Sequence, residues 1–198
     1  TTADGGILVV HTKERNNERD RNNAKLLRWF GIDREKKIRN HWQAYTERKM
    51  TFDIQLLGYK RQMTDIDAAL GLVGLAHYDY VIATRAHQFG IYKDRLSGIE
   101  GLHIVDGAEN KYWLATVLVE RRDDFAKKLF EAGIDTNLVQ VRNDCFRVFG
   151  AVDGRPNPKN SKLPILDEIE GKYISIPIGP HLTDEDIEYV CDHIIEGW

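Results

Sequence analysis

The patterning of this 198-residue chain predicts an α/β fold whose second half is a compact α+β unit. From about residue 112 onward, short apolar runs alternate with amphipathic helical stretches. Before that, long helical patterns follow a single strand-like run near the start. The chain is 42% hydrophobic and 30% charged, so it can bury a core and remain soluble.

Residues 5–11, "GGILVVH", are short, apolar and β-branched behind two glycines, and read as a buried strand. A charged helix follows over roughly 13–30, ending on Leu26, Leu27 and Phe30 with Gly31 as its stop. Residues 31–58 carry aromatics without a clear period and read as a long excursion with short pieces of structure. Thr64 with Asp67 three residues on is a capping-box pattern. Behind it Ile66, Ala69, Leu70 and Val73 share one helical face, while Ala68, Gly71 and Gly74 keep the helix thin. A second helix is expected over about 79–97, with Ile82, Ala86, Phe89 and Leu96 at helical spacing and Gly98 at its end.

The later elements follow a β-α-β rhythm. "YWLATVLV" (112–119) is a strand, and "DDFAKKLFEAG" (123–133) a helix with Phe125 and Leu129 inward and Gly133 as stop. "IDTNLVQV" (134–141) reads as the next strand, and the Gly- and Pro-rich 150–164 as loop. "YISIPI" (173–178) is a strand, and the last helix is capped by Thr183 with Asp186. Its stripe is Ile187, Val190, Cys191 and Ile194, which makes Cys191 plain core. The sheet is expected to be antiparallel or mixed, with helices on one face, and the chain to divide near residue 100.

Composition narrows the function classes. The net charge of −3 argues against a nucleic-acid binder, and the basic residues of "KERNNERDRNNAKLLR" are interleaved with acids, as on a solvated helix face. No apolar run reaches the roughly 18 residues a membrane span needs. The two cysteines, Cys145 and Cys191, make no disulfide framework, and a reducing cytoplasmic setting is the default. The histidines form no H-x-x-x-H or H-x-H pair, so no metal site is expected.

The most specific stretch is "GYKRQMTDIDAALGL" (58–72). It resembles the Gly-Tyr-Asn/Lys-aromatic-x-Met-Thr-Asp-Ile-x-Ala-Ala-x-Gly-Leu signature of the DegT/DnrJ/EryC1/StrS family. "TTADGGILVV", "LLRWFGID", "FEAGIDTNLVQVR" and "YISIPIGPHLTDEDIEYV" resemble further family segments in order and spacing. The resemblance covers nearly the whole chain but only the C-terminal half of a family member. It implies fold type I, with pyridoxal 5'-phosphate as cofactor and transamination of nucleotide-linked keto-sugars, glutamate being the expected amino donor. It also implies that residues 1–100 are the C-terminal part of the large cofactor-binding domain, with a long dimer loop and helices. Residues 101–198 would then be the small α+β domain.

The resemblance further places the Schiff-base lysine a few residues upstream of the Thr-Thr pair. No catalytic residue is therefore expected among these residues, and the chain alone is expected to be inactive. Lys13, beyond the strand, cannot stand in for it. Lys60 matches the position that reaches across the dimer to the partner's cofactor phosphate, where a compact cation suits a doubly charged anion. Tyr59 either lines the same cleft or packs in the core. Arg142 and Asn143 match positions facing the nucleotide-sugar, and an arginine fork suits a diphosphate. Arg61-Gln62 departs from the signature, and Gly179 stands where relatives often carry His, with His181 two residues later. Trp42 and Tyr45 belong to the dimer-spanning loop or are local anchors.

Two other readings stay open. A minority of the family carries histidine in place of the lysine and dehydrates sugars, and the discriminating position is not in this sequence. A non-catalytic dimerisation or binding module is the other. The apolar faces of Ile7 to Val10 and of the 65–76 helix are expected to be exposed and to drive self-association into a homo-oligomer.

Overall fold

The computed structural model of the chain describes residues 17–39, 56–107, 112–155 and 163–198, with Leu8 and Ile54 as single positions. The strand expected over 5–11, Lys13, Trp42 and Tyr45, and part of the 150–164 loop lie outside the described residues. The chain forms two compact units, Thr1–Ala76 and His77–Trp198.

In the first unit, α1 (Asn17–Arg28) carries Glu18 and Asp20 in its first turn and Lys25 and Arg28 in its last, the arrangement its dipole favours. It stops where the backbone turns left-handed at two successive residues, Phe30 (φ 54°) and Gly31 (φ 75°). Gly31 N–H closes the turn by donating to the Leu26 carbonyl at 2.8 Å. The short α2 (Arg34–Arg39) starts on Asp33, whose carboxylate accepts from Lys36 N–H at 2.9 Å. It is tied back to α1 by the Lys25–Glu35 ion pair, which lowers the Glu35 carboxyl below its ordinary range.

The helix α3 (Asp65–Ala76) begins with the expected capping box. Asp67 N–H donates to Thr64 Oγ1, and Thr64 N–H donates to Asp67 Oδ2, both at 3.2 Å. None of its residues is buried, and Ile66, Leu70 and Val73 are all exposed.

The second unit starts one helix earlier than the division near residue 100. α4 (Tyr78–Leu96) sends Phe89, Tyr92 and Leu96 into the core of the α+β unit, which is why it belongs there. An antiparallel sheet in the order β1-β2-β3 lies against it, formed by Leu102–Ile104, Ala115–Val119 and Tyr173–Ile176. Burial alternates along β2 and β3, so Ala115, Val117, Val119, Ile174 and Ile176 face the helices while Thr116, Leu118, Tyr173 and Ser175 stay half-buried. The same core takes Phe125 and Leu129 from α5 (Arg122–Glu131). From α7 (Asp184–Ile195) it takes Ile187, Val190, Cys191 and Ile194, the stripe expected from the sequence.

α5 ends at Gly133 (φ 76°), where Ile134 N–H donates to Leu129 O at 2.8 Å and Ile134 drops into the core. α7 carries its capping box as expected, with Asp186 N–H on Thr183 Oγ1. Two expectations are corrected. The stretch 134–141 is not a strand: among the described residues only Asn137 pairs with Ser175, through reciprocal hydrogen bonds of 3.1 and 2.9 Å, and beyond it the tie to β3 is a side-chain one, from Tyr173 OH to Gln140 O. The loop expected through residue 164 gives way to a short helix, α6 (Pro164–Ile169), whose first residue is the proline.

Candidate functional site

The signature stretch is held by backbone. Tyr59 N–H donates to Leu27 O at 2.7 Å, Phe30 N–H to Tyr59 O at 3.1 Å, and Arg61 N–H to Arg28 O at 2.9 Å. The chain at 59–61 thus satisfies carbonyls that the last turn of α1 would otherwise leave open. Two glycines permit the approach. A Cβ at Gly58 would stand 2.2 Å from the Gly31 amide nitrogen, and one at Gly31 would stand 1.9 Å from the Leu56 carbonyl oxygen.

The side chains of this strip are left outward. Lys60 is exposed, and its ammonium has no ion-pair partner among the described residues. Tyr59 is 53% exposed, so it is no core residue. The Arg61 guanidinium stands 5.0 Å over the Tyr59 ring, a cation–π contact that uses the position where the signature is broken. The result is a cationic edge with an aromatic base, and a phosphate group would find two positive side chains there.

Arg142 and Asn143 lie in the second unit. Asn143 opens a 3-10 turn (Asn143–Cys145) and is exposed. The Arg142 side chain is 2% exposed and enclosed by carboxylates. Its Nε and Nη2 form a fork on Asp144 at 2.6 and 2.7 Å, Nη2 also meets Asp167 at 2.7 Å, and Nη1 meets Glu170 at 2.7 Å. These hydrogen bonds, Asp144 first, raise the guanidinium pKa above its ordinary value. The group expected to face a diphosphate therefore joins the 143–145 turn to α6. Burial and the nearby Glu170 raise the Cys145 thiol.

Tyr59 and Lys60 are thus neighbours in one unit, and Arg142 and Asn143 in the other. Sequence reasoning missed the carboxylates around Arg142; the R-x-D spacing of Arg142 and Asp144 was the available signal. It also missed Gln88 on α4. That side chain is buried, donates from Nε2 to Gly179 O at 3.0 Å and to Leu182 O at 2.9 Å, and accepts from Gly179 N–H at 3.0 Å. One turn on, Tyr92 OH donates to Pro177 O at 2.7 Å. Together they fix the 177–182 loop. His181, which the sequence left without a role, folds its ring onto Gly179, where a Cβ would stand 2.8 Å from the imidazole.

Comparison with known proteins agrees with the signature. The chain is 28% identical over 151 residues to GDP-perosamine synthase of Escherichia coli O157:H7, which covers 71% of this chain and 38% of that protein. It is 30% identical over 145 residues to dTDP-3-amino-3,4,6-trideoxy-alpha-D-glucose transaminase of Streptomyces venezuelae, covering 70% of this chain and 37% of that protein. The crystal structure of the sugar aminotransferase CalS13 from Micromonospora echinospora matches with a TM-score of 0.76 at 27% identity, over 91% of this chain and 46% of that one. The chain therefore spans less than half the length of these relatives. The family model for DegT/DnrJ/EryC1/StrS aminotransferases matches residues 1–195. By that match, and by the backbone-held signature at residues 58–72, this chain belongs to the DegT/DnrJ/EryC1/StrS aminotransferase family.

Proposed function

We propose that this chain is the C-terminal half of a pyridoxal-phosphate-dependent aminotransferase that moves an amino group from glutamate to a nucleotide-linked keto-sugar. The family match and the names of the relatives support the reaction class. The observation that carries the site is the 59–61 strip, where backbone bonds to α1 hold Lys60 in place while its ammonium remains unpaired among the described residues.

In this reading Lys60 binds the phosphate of the cofactor in a second copy of the chain, and the enzyme is a homo-oligomer. A compact ammonium suits a dianion, and a rigid backbone removes the ordering cost of presenting it. Bound pyridoxal phosphate supplies the electron sink that lets the amino group change carbon. Tyr59 and Asn143 contact the nucleotide-sugar. Arg142, already committed to three carboxylates, acts from behind by fixing the turn that presents Asn143. The first unit, Thr1–Ala76, serves the large domain, and the second, His77–Trp198, the small one. In the same reading none of the lysines in these residues anchors the cofactor, as the family resemblance implies.

The test has two arms. The purified chain is incubated with pyridoxal phosphate, reduced with borohydride and mapped. A stoichiometric adduct at one lysine of this chain would sink the assignment of the anchor elsewhere. The chain is also joined to the N-terminal half of a family relative and assayed for glutamate-dependent amination of dTDP- and GDP-linked keto-sugars. Lys60→Gln should weaken cofactor binding about tenfold, the size of one charge-assisted hydrogen bond. Undiminished cofactor affinity in that variant would remove Lys60 from the site.

A further inference from the structure

A cleft of about 520 Å³ opens in the second unit between the turn after α5, the 177–182 loop and the start of α7. That volume lies within the range of small-molecule sites, roughly 300–1,000 Å³. Ile134, Ile178 and Val190 give it apolar walls. Its polar side chains are Asp135, Asp186, His181 and Tyr189, with no lysine or arginine.

The cleft is preformed. Gln88 and Tyr92 pin the 177–182 loop from α4 through hydrogen bonds to the backbone of Pro177, Gly179 and Leu182. The His181 ring lies against Gly179, where a Cβ would stand 2.8 Å from the imidazole. On the opposite side Tyr189 OH donates to the Ala132 carbonyl at 3.0 Å, which joins α7 to the end of α5. A ligand would not have to order these walls, and that lowers the cost of binding.

The two carboxylates are not equivalent. Asp186 Oδ2 is engaged by Thr183 in the capping box of α7. Asp135 has no hydrogen bond or ion pair among the described residues and is exposed. A cleft with apolar walls and an uncompensated carboxylate in its lining is complementary to a protonated amine carried on an apolar body. We propose that this cleft is a binding site for small organic amines of that kind, with Asp135 as the charge partner and the Ile134, Ile178 and Val190 wall taking the apolar part.

The proposal is tested on the full 198-residue chain with phenethylamine as probe, by saturation-transfer NMR and calorimetry. Phenylacetate, of the same shape and opposite charge, is the control. Phenethylamine is expected to bind with a dissociation constant on the order of 1 mM, as a fragment of this size does. Asp135→Asn should weaken it about fivefold, as expected for one partly solvated charge partner, with the melting temperature unchanged. Phenylacetate should give no transfer. Equal binding of phenylacetate, unchanged affinity in Asp135→Asn, or no binding of phenethylamine at several times that concentration would each overturn the proposal. A second variant, Val190→Ala, enlarges the cleft behind the carboxylate. It should shift the ring-proton saturation pattern while the charge preference persists, and loss of that preference would also count against the assignment.

Discussion

The Gln88 carboxamide exchanges two hydrogen bonds of 3.0 Å each with the main-chain N–H and C=O of Gly179. The side-chain amide thus takes the place of a facing residue in a hydrogen-bonded pair of an antiparallel ladder. The partners are 91 residues apart, and the pair joins α4 to the loop entering α7. Gln88→Leu preserves most of the volume and removes the pair, leaving the Gly179 N–H and two carbonyls without it. Stability in urea should fall by about 2–3 kcal/mol with an unchanged m-value. A loss below about 0.5 kcal/mol would show that water replaces the carboxamide.

The enclosure of Arg142 predicts a graded series. Arg142→Lys keeps the charge but cannot fork onto Asp144 while also meeting Asp167 and Glu170. Arg142→Gln leaves three carboxylates facing one another without a cation. Proteolysis between residues 143 and 170 should accelerate in the order wild type, Lys, Gln. Glu170→Gln, at a half-exposed position, should change it least. Equal rates across the series would mean that the cluster does not hold the turn to α6.

Glycine positions should respond with opposite signs. Gly58→Ala places a methyl 2.2 Å from the Gly31 nitrogen, so the crossing of the two segments must open. The expected cost exceeds about 2 kcal/mol for the first unit. Gly90→Ala, within α4, meets nothing within 4 Å and should stabilise the second unit by about 0.5–1 kcal/mol through helix propensity. Hydrogen exchange resolved by segment reads the two units separately.

Thiol chemistry supplies a pH prediction. Burial pushes the Cys191 thiol up to about 11. At pH 8 its thiolate is about one part in a thousand, so a disulfide reagent should leave it intact until the chain unfolds. Cys145, also raised but only half-buried, should react slowly in the folded chain. In the window from the ordinary value of 9.0 to about 11, the folded state retains a proton on Cys191 that the unfolded state releases. Stability should therefore fall as pH rises through that window. Lys93, held charged by its hydrogen bond with Asp106, adds stability that is lost in the same direction as pH rises through its raised value.

What the sequence disclosed was local. Both capping boxes, the α7 stripe and the Gly31 and Gly133 stops follow from spacings of a few residues, and the structure has them. Motif resemblance located the Tyr59–Lys60 strip, yet nothing near it in the chain announces that α1 receives it; that took the Leu27 and Arg28 carbonyls, some thirty positions away. Gln88 could not be singled out among the polar residues of α4, because its partners lie 91 and 94 residues on. The run 134–141 has strand composition, but only Asn137 finds a ladder partner in Ser175. Arg142 was placed by resemblance as a ligand group, and two of the three carboxylates that engage it, Asp167 and Glu170, lie 25 and 28 residues away.

The way the 59–61 strip is fastened has an evolutionary consequence. Among the described residues its hydrogen bonds to the end of α1 run through peptide groups, so the side chains at these positions are not needed for them. Sequences can exchange Tyr59, Lys60 or Arg61 and retune what the edge accepts while the scaffold stays put. Inserting or deleting one residue between Gly58 and Arg61 is another matter, since it shifts every peptide group out of register with the helix end. Divergence here is open to substitution and closed to changes of length.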